Sequence, residues 1–364
     1  MRRIFLLLSV FLLLVSCNKE NKQKQEAKPV VKIGVLYPMS GDGAFFGDSA
    51  KKAAGLFFEE FDVQNAKYQY DIVWEDSQSS PAKAVMAARK LIDYDKVDVI
   101  YDMLSGVAVA VSPITNEKKV LHLTFAQDPS ISKGFYNWRV VTSQKNTGIK
   151  MINALKKRKM FKLIGVVENT AGTLSLYNSL ADLAEKDADF NLKTMSINPG
   201  ERDFNLLLQK IESSKPDALV VSLHAPEIDV FMRQAQNNQI KTPIVGMQSF
   251  TFLKDKSLAE GLWYVDVAMA DKSFFKRYKD FSGDDVTNFA ENFYTLLLVT
   301  THVYETAKIP QKPTHEEFIA NLESVEGLIS PVGKLMIDKI DQNVDSPASI
   351  RSVQNGIVVT LEED

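Results

Sequence analysis

The sequence predicts an α/β fold in which a doubly wound parallel sheet is built twice. Three observations carry that prediction. Between residues 30 and 124, short continuous apolar runs alternate with stretches whose apolar residues recur at helical spacing. That is the pattern of parallel strands covered by helices on both faces. After Val141 the same alternation starts again. Finally, 364 residues with 45% hydrophobic content suit two to three domains with sizeable cores.

The first segment precedes the fold. Met1-Arg2-Arg3 is followed by an apolar run over 4–15, broken only by Ser9, and then by Ser16-Cys17. A helix across a ~30 Å hydrocarbon core takes ~20 residues, so this run is too short to span a membrane. A charged start, a short apolar run and a small residue at the cut predict a secretory signal peptide over 1–17. Leu14-Val15-Ser16-Cys17 also resembles the bacterial lipobox. That resemblance implies diacylation of Cys17, which becomes the N-terminus and anchors the protein to a membrane. Residues 18–29, rich in Lys, Gln, Glu and Asn, are expected to form a solvated tether. Cleavage before Cys17 removes Arg2 and Arg3, moving the formal net charge from −3 to −5.

The body follows in order. VVKIGVLY over 30–37 reads as a buried parallel strand, ended by Pro38. Beyond the loop PMSGDGAFFG, Ala50, Ala53, Ala54, Phe57, Phe58 and Phe61 mark one face of a helix. A second strand is expected over 70–74. Ser80-Pro81 then opens a helix, because proline at the first helical position loses no needed N–H. Strands three and four are expected over 97–101 and 120–124, with a helix between them. In the second half, strands are expected over 162–167, 192–197, 218–223 and 244–246. Helical stripes lie between them at Phe204, Leu207, Leu208, Ile211 and at Ile228, Phe231, Met232, Ala235. Lys96-Val97-Asp98 and Lys215-Pro216-Asp217 introduce the third strand of each half alike. From about residue 271 the chain turns helical, over 289–307 and 314–322, and ends in strand-like pieces over 334–337 and 357–361.

Composition excludes several functions. A pI near 5.9 without a basic excess argues against nucleic acid, whose phosphates need clustered Lys and Arg. One cysteine excludes a disulfide framework and a thiolate-rich zinc site. Gly41, Gly43 and Gly47 are spaced G-x-G-x-x-x-G, one residue off the dinucleotide fingerprint, and Asp42 would face a pyrophosphate. They read as a tight strand-to-helix turn. His122, His224, His302 and His315 never pair at ligand spacing, and Met103 replaces the first glycine of a nucleophile elbow before Ser105. The expectation is a binder, not an enzyme, with no metal or cofactor.

On such a fold the ligand sits beyond the carboxyl ends of the strands. The loops there are 38–47, 76–80, 103–106 and 125–128 in the first half, and 168–174, 224–226 and 247–250 in the second. Ser105-Gly106 stands at a strand end, with the serine expected at an N-cap. It is either a plain cap or a turn whose free N–H groups bind a carboxylate.

Three blocks carry a family resemblance: IGVLYPMSGDGAFFGDSAKKAAGLFFEEF, WEDSQSSPAKAVMAARKLID and VDVIYDMLSG. They resemble the first lobe of the type I periplasmic binding proteins, in the leucine/isoleucine/valine-binding branch, the extracytoplasmic receptors of ABC importers. The resemblance implies two Rossmann-like lobes joined by three crossings, with ligand held in the cleft between them. Lobe I would comprise 30–142 plus 269–332, and lobe II 143–268 plus 333–364. Position by position, Phe46 matches an aromatic lining the pocket, and Ser105 and Gly106 match the turn that binds the ligand carboxylate. Phe125, Ala126 and Gln127 stand in the small-small-threonine loop. Gly172 and His224 fall where the second lobe usually contributes aromatic rings.

Gln248 falls where amino-acid binders often carry a glutamate for the ligand ammonium. A desolvated ammonium without a carboxylate partner is costly, and an amide offers only a dipole. Asp128 or Asp76 is the alternative partner. The expected ligand is therefore a small organic molecule bearing a carboxylate or amide, with branched-chain amino acids one candidate. The implied protein is a monomeric, lipid-anchored receptor in the cell envelope, delivering ligand to an ABC permease. The other expectation is an outer-membrane lipoprotein of the same fold acting through protein contacts, like the activators of penicillin-binding proteins.

Overall fold

The computed structural model describes residues 28–285, 289–308 and 311–361. The leader, Cys17 and residues 18–27 of the expected tether lie outside the described residues. The first unit runs β1 (Val30–Tyr37), α1 (Ala44–Glu60), β2 (Gln69–Asp76), α2 (Pro81–Lys90), β3 (Val99–Asp102), α3 (Ser105–Lys118), β4 (Leu121–Thr124) and β5 (Asn137–Val140). The second runs α4 (Gln144–Lys157), β6 (Lys162–Glu168), α5 (Ala171–Glu185), β7 (Asn191–Ile197), α6 (Asn205–Ser214), β8 (Ala218–Ser222), α7 (Glu227–Asn237), β9 (Ile244–Met247) and β10 (Trp263–Val267). Three helices follow: α8 (Lys272–Ser282), α9 (Ala290–Thr306) and α10 (His315–Asn321). The chain ends in β11 (Ile329–Ser330), β12 (Gly333–Lys334), β13 (Met336–Asp338), β14 (Asn343–Asp345), β15 (Ala348–Gln354) and β16 (Ile357–Thr360).

These strands form two seven-stranded sheets, ordered β13-β14-β5-β4-β3-β1-β2 and β16-β15-β10-β9-β8-β6-β7, and a small β11–β12 ribbon. Within each sheet the five strands of the α/β alternation are parallel, and β14 adds a sixth to the first. Counted within its unit, each follows the order 2-1-3-4-5. The direction of winding therefore reverses between β1 and β3 in one sheet and between β6 and β8 in the other. Such switch points open the crevices where ligands bind.

Every expected strand of the two alternating runs is present, for the reason the periodicity implied: Val31, Ile33, Val35, Val99, Leu121, Val166, Leu219 and Val221 are fully shielded. On one face of the first sheet α1, α8 and α9 share a core that includes Phe57, Phe274, Phe293 and Tyr304. On the other face, Ala84, Ala88, Val107 and Val111 of α2 and α3 pack a second core. Thus α8, α9 and α10 follow the second unit in sequence yet pack on the first. The glycines of the first loop make the tight turn expected of them. A Cβ at Gly47 would stand 2.5 Å from the Pro38 carbonyl oxygen.

Five strands escaped the sequence reading: β5, β10, β14, β15 and the two-residue β11. Each places polar or charged residues inside, and that interrupts the apolar run. In β5, Asn137 and Arg139 are buried beside Trp138 and Val140. Asp266 of β10 and Arg351 of β15 neutralise one another at 3.0 Å.

The lobe boundary near the C-terminus needs correction. The return to the second lobe was expected at residue 333. Instead, β14 pairs in parallel with β5 and β13 pairs with β14, so residues 336–345 extend the first sheet. Only β15 and β16 join the second sheet. The open edge of β5 is the reason: its N–H and C=O groups are satisfied by the last segment, with Arg139 N donating to Gln342 O and Val141 N to Val344 O.

Three crossings therefore join the lobes, at 141–143, 268–271 and 345–348. They are tied to one another. Thr142 Oγ1 lies 2.7 Å from Ser346 Oγ, Ser143 N donates to Asp345 Oδ1 at 2.8 Å, and Ala268 N donates to Thr142 Oγ1 at 3.4 Å.

Candidate functional site

The carboxyl ends of the parallel strands of both sheets border one cleft of about 730 Å³, within the range of small-molecule sites. The loops that follow β1, β3 and β4 line it from the first lobe, and those that follow β6, β8 and β9 from the second.

From the first lobe, Phe46, Ser105, Phe125 and Gln127 line the cleft. Gly106 and Ala126 do not. Gly106, the second residue of α3, is exposed, and Ala126 is buried with Ala108 and Ile131 beneath the loop. The expected capping role of Ser105 is also corrected. Leu104 occupies the N-cap with no side-chain bond, and Ser105 is the first residue of α3. Its hydroxyl has no hydrogen-bond partner among the described residues, so it remains available beside the positive end of the helix. Lys133 adds a cation at the same side of the cleft.

The aromatic wall is larger than the sequence suggested. The Phe289 ring lies 5.6 Å from that of Phe46 and 5.2 Å from that of Phe125, joining them into one surface. Phe289 precedes α9 with φ 76°, a left-handed conformation that turns the chain into the helix.

Beneath the 125–127 loop runs a buried polar chain. Thr124 Oγ1 accepts from Ala126 N at 3.0 Å and bonds to the Asp102 carboxylate. His122 Nε2 lies 2.9 Å from Asp102 Oδ2, and its Nδ1 lies 3.2 Å from Asn137 Oδ1. Asn137 Nδ2 donates to Ser112 O, which leaves Oδ1 as the acceptor. His122 is thus a structural group that holds the loop by way of Asp102 and Thr124.

From the second lobe, Gly172, His224 and Gln248 all reach the cleft. Gly172 leaves open the space a large ring would fill: a Cβ there would meet only His224 Cε1, at 3.7 Å. His224 packs edge-on against Phe252 at 4.9 Å. Burial holds its imidazole below the usual range, favouring the neutral ring. Its backbone N–H donates to Glu168 Oε2 at 3.0 Å. Gln248 starts the turn after β9 in a left-handed conformation, its N–H donating to Val265 O at 2.8 Å.

Besides Lys133, three charged groups of the cleft lay outside the expected site: Asp266, Glu291 and Arg351. Asp266 and Arg351 come from neighbouring strands of the second sheet, whereas Glu291 projects from the first turn of α9. Glu291 Oε2 is buried without a hydrogen-bond partner among the described residues. Burial pushes its carboxyl up to about 7, opposed by a hydrogen bond from its own backbone and by the Arg351 charge. A charged residue inside an apolar run, as at Asp266, was the one signal available in the sequence; Arg351 stands in the mixed stretch ASIRSVQ. Glu291 offered none, since an acidic residue in the first turn of a helix is ordinary. The two alternative ammonium partners fare differently. Asp128 lines the cleft but accepts from Ser130 N at 2.8 Å. Asp76 instead holds the first loop through Met39 N and Ser40 Oγ.

No group of His, Cys, Asp and Glu suited to a metal ion occurs among the described residues. Likewise, no helix among them is long and apolar enough to cross a membrane.

A family model described as periplasmic binding protein matches residues 30–356. The Leu/Ile/Val-binding protein BraC3 of Rhizobium johnstonii is 27% identical over 224 residues, 59% of this chain. The aligned stretch spans 60% of that relative's length. Among solved structures, the leucine binding protein LivK of Thermotoga maritima superposes with a TM-score of 0.75 at 22% identity, covering 91% of this chain and 98% of that one. The solute binding protein of an ABC transporter from Rhodopseudomonas palustris, in complex with 3,4-dihydroxy benzoic acid, gives 0.74 at 21%, covering 92% and 96%. With two α/β lobes, three crossings and a family match over most of its length, the chain belongs to the periplasmic binding proteins, in their type I fold.

Proposed function

We propose that this protein is the non-enzymatic receptor of an ABC importer, held in the cell envelope by lipid on Cys17, and that it binds a small organic ligand bearing a carboxylate or amide. The observation that carries this reading is the cleft itself, built from strand ends of both lobes at their switch points and flanked by three tied crossings. A ligand touching both walls stabilises the closed arrangement by contacts that an open one lacks. Ser105 at the start of α3, with Lys133 nearby, suits the anionic or carbonyl end. The wall of Phe46, Phe125 and Phe289 suits an apolar or aromatic body. Relatives and neighbours named for leucine, branched-chain amino acids and an aromatic acid fit the same chemistry.

A thermal-shift panel of amino acids, carboxylic acids, amides and peptidoglycan fragments tests the ligand class, because a true ligand raises the melting temperature by mass action. A response to acids or amides is expected. Silence across the small molecules overturns the receptor reading and favours the protein-interaction lipoprotein. Cys17→Ser is expected to move the protein from the membrane to the soluble fraction; retention at the membrane would refute the anchor.

A further inference from the structure

Resting on the receptor reading above, we propose that Glu291 selects a cationic group on the ligand, a protonated amine, so that the second polar subsite of the cleft lies on α9 of the first lobe rather than at position 248. The charges of the cleft point there. Asp266 is matched by Arg351 at 3.0 Å, and Arg351 spends its other donors on Val267 O and Ser349 Oγ. Asp128 is taken up as a cap, and Glu168 by the His224 N–H. Among the carboxylates bordering the cleft, Glu291 is the one with a buried oxygen left without a donor among the described residues, and it is only 9% exposed.

An acidic residue in the first turn of a helix interacts well with the helix dipole. That interaction works equally from an exposed position, so it accounts neither for the burial nor for the oxygen left without a donor. A buried carboxylate with no partner is expensive, and an ammonium brings three donors and the missing charge. With Ser105 holding an anionic end, a cation at Glu291 gives the cleft opposite charges at two places on the first lobe. Gln248 is then relieved of the role that its neutral amide fills poorly.

Matched ligand pairs test this: leucine against 4-methylpentanoate, and phenylalanine against 3-phenylpropanoate, titrated into wild type, Glu291→Gln and Glu291→Asp. Wild type is expected to prefer the amine of a pair by roughly 10- to 100-fold, the span of one hydrogen bond to a charged group. Glu291→Gln should erase the preference while keeping affinity for the deaminated acid, and Glu291→Asp should restore part of it. Equal binding of both members by wild type, which needs no variant, overturns the proposal and leaves the receptor reading intact. A preference that survives Glu291→Gln overturns it as well. If neither member of any pair binds, this proposal falls, and the wider panel decides whether the receptor reading falls with it.

Discussion

Replacing Glu291 by glutamine changes how stability depends on pH, and the structure sets the size and sign of the effect. Burial raises the carboxyl from its ordinary 4.5 to about 7 in the folded protein, which corresponds to about 3 kcal/mol between its two protonation states. Between those pH values the folded state holds a proton that the unfolded chain has released. This group's contribution is therefore complete below about 4.5 and is lost as pH rises through about 7. Glutamine has nearly the same shape and does not titrate, so that descent should vanish. Relative to wild type, Glu291→Gln should gain about 3 kcal/mol between pH 4.5 and pH 8. Urea unfolding followed through Trp74, Trp138 and Trp263 across that range measures it. Parallel pH profiles for the two proteins would refute the reasoning, since the carboxyl would then titrate alike folded and unfolded.

Three further outcomes follow from the geometry. Ser105→Ala should weaken an acidic ligand about tenfold, the loss of one hydrogen bond to a charged group, by calorimetric titration; unchanged affinity would remove Ser105 from the site. Arg351→Met leaves Asp266 buried without its counter-charge and should cost 3–5 kcal/mol, as is usual for breaking a buried pair (range about 3–5). Adding Asp266→Asn should recover a large part of that loss in chemical denaturation, whereas no recovery would show that Arg351 acts through its bonds to Val267 O and Ser349 Oγ rather than through the ion pair. Gly148→Ala introduces a Cβ 2.6 Å from the Ser179 carbonyl oxygen, where α4 meets α5. Despite the better helix propensity of alanine, it should destabilise by roughly 1–3 kcal/mol, and an unchanged melting temperature would contradict such close packing.

Legibility in the sequence followed the physics of burial. The apolar runs at 30–37 and 162–168 announced themselves because both faces of a parallel strand are covered, so nearly every residue is apolar. Loop positions such as Phe46, Ser105, Gln127 and His224 could be placed because they follow such strands directly. The strands next to the crossings were harder. In β5, β14 and β15, polar residues point into the protein to satisfy crossings and to pair charges, and local periodicity treats them as breaks. Gly106 and Ala126 show the limit at finer grain: each stands beside a residue that lines the cleft, yet Gly106 turns into solvent and Ala126 into a minor core.

By itself, the sequence determined the alternation of strands and helices, its repetition, and the loops that end up facing a ligand, because these depend on patterns within a few turns of chain. Tertiary structure alone decided that 336–345 closes the first sheet, that Phe289 completes the aromatic wall, and that Glu291 meets the cleft holding Asp266 and Arg351. Those residues come from three distant segments carried over by the crossings. Whether a buried charge has a partner depends on what the fold brings beside it, and neighbouring residues in the chain do not record that.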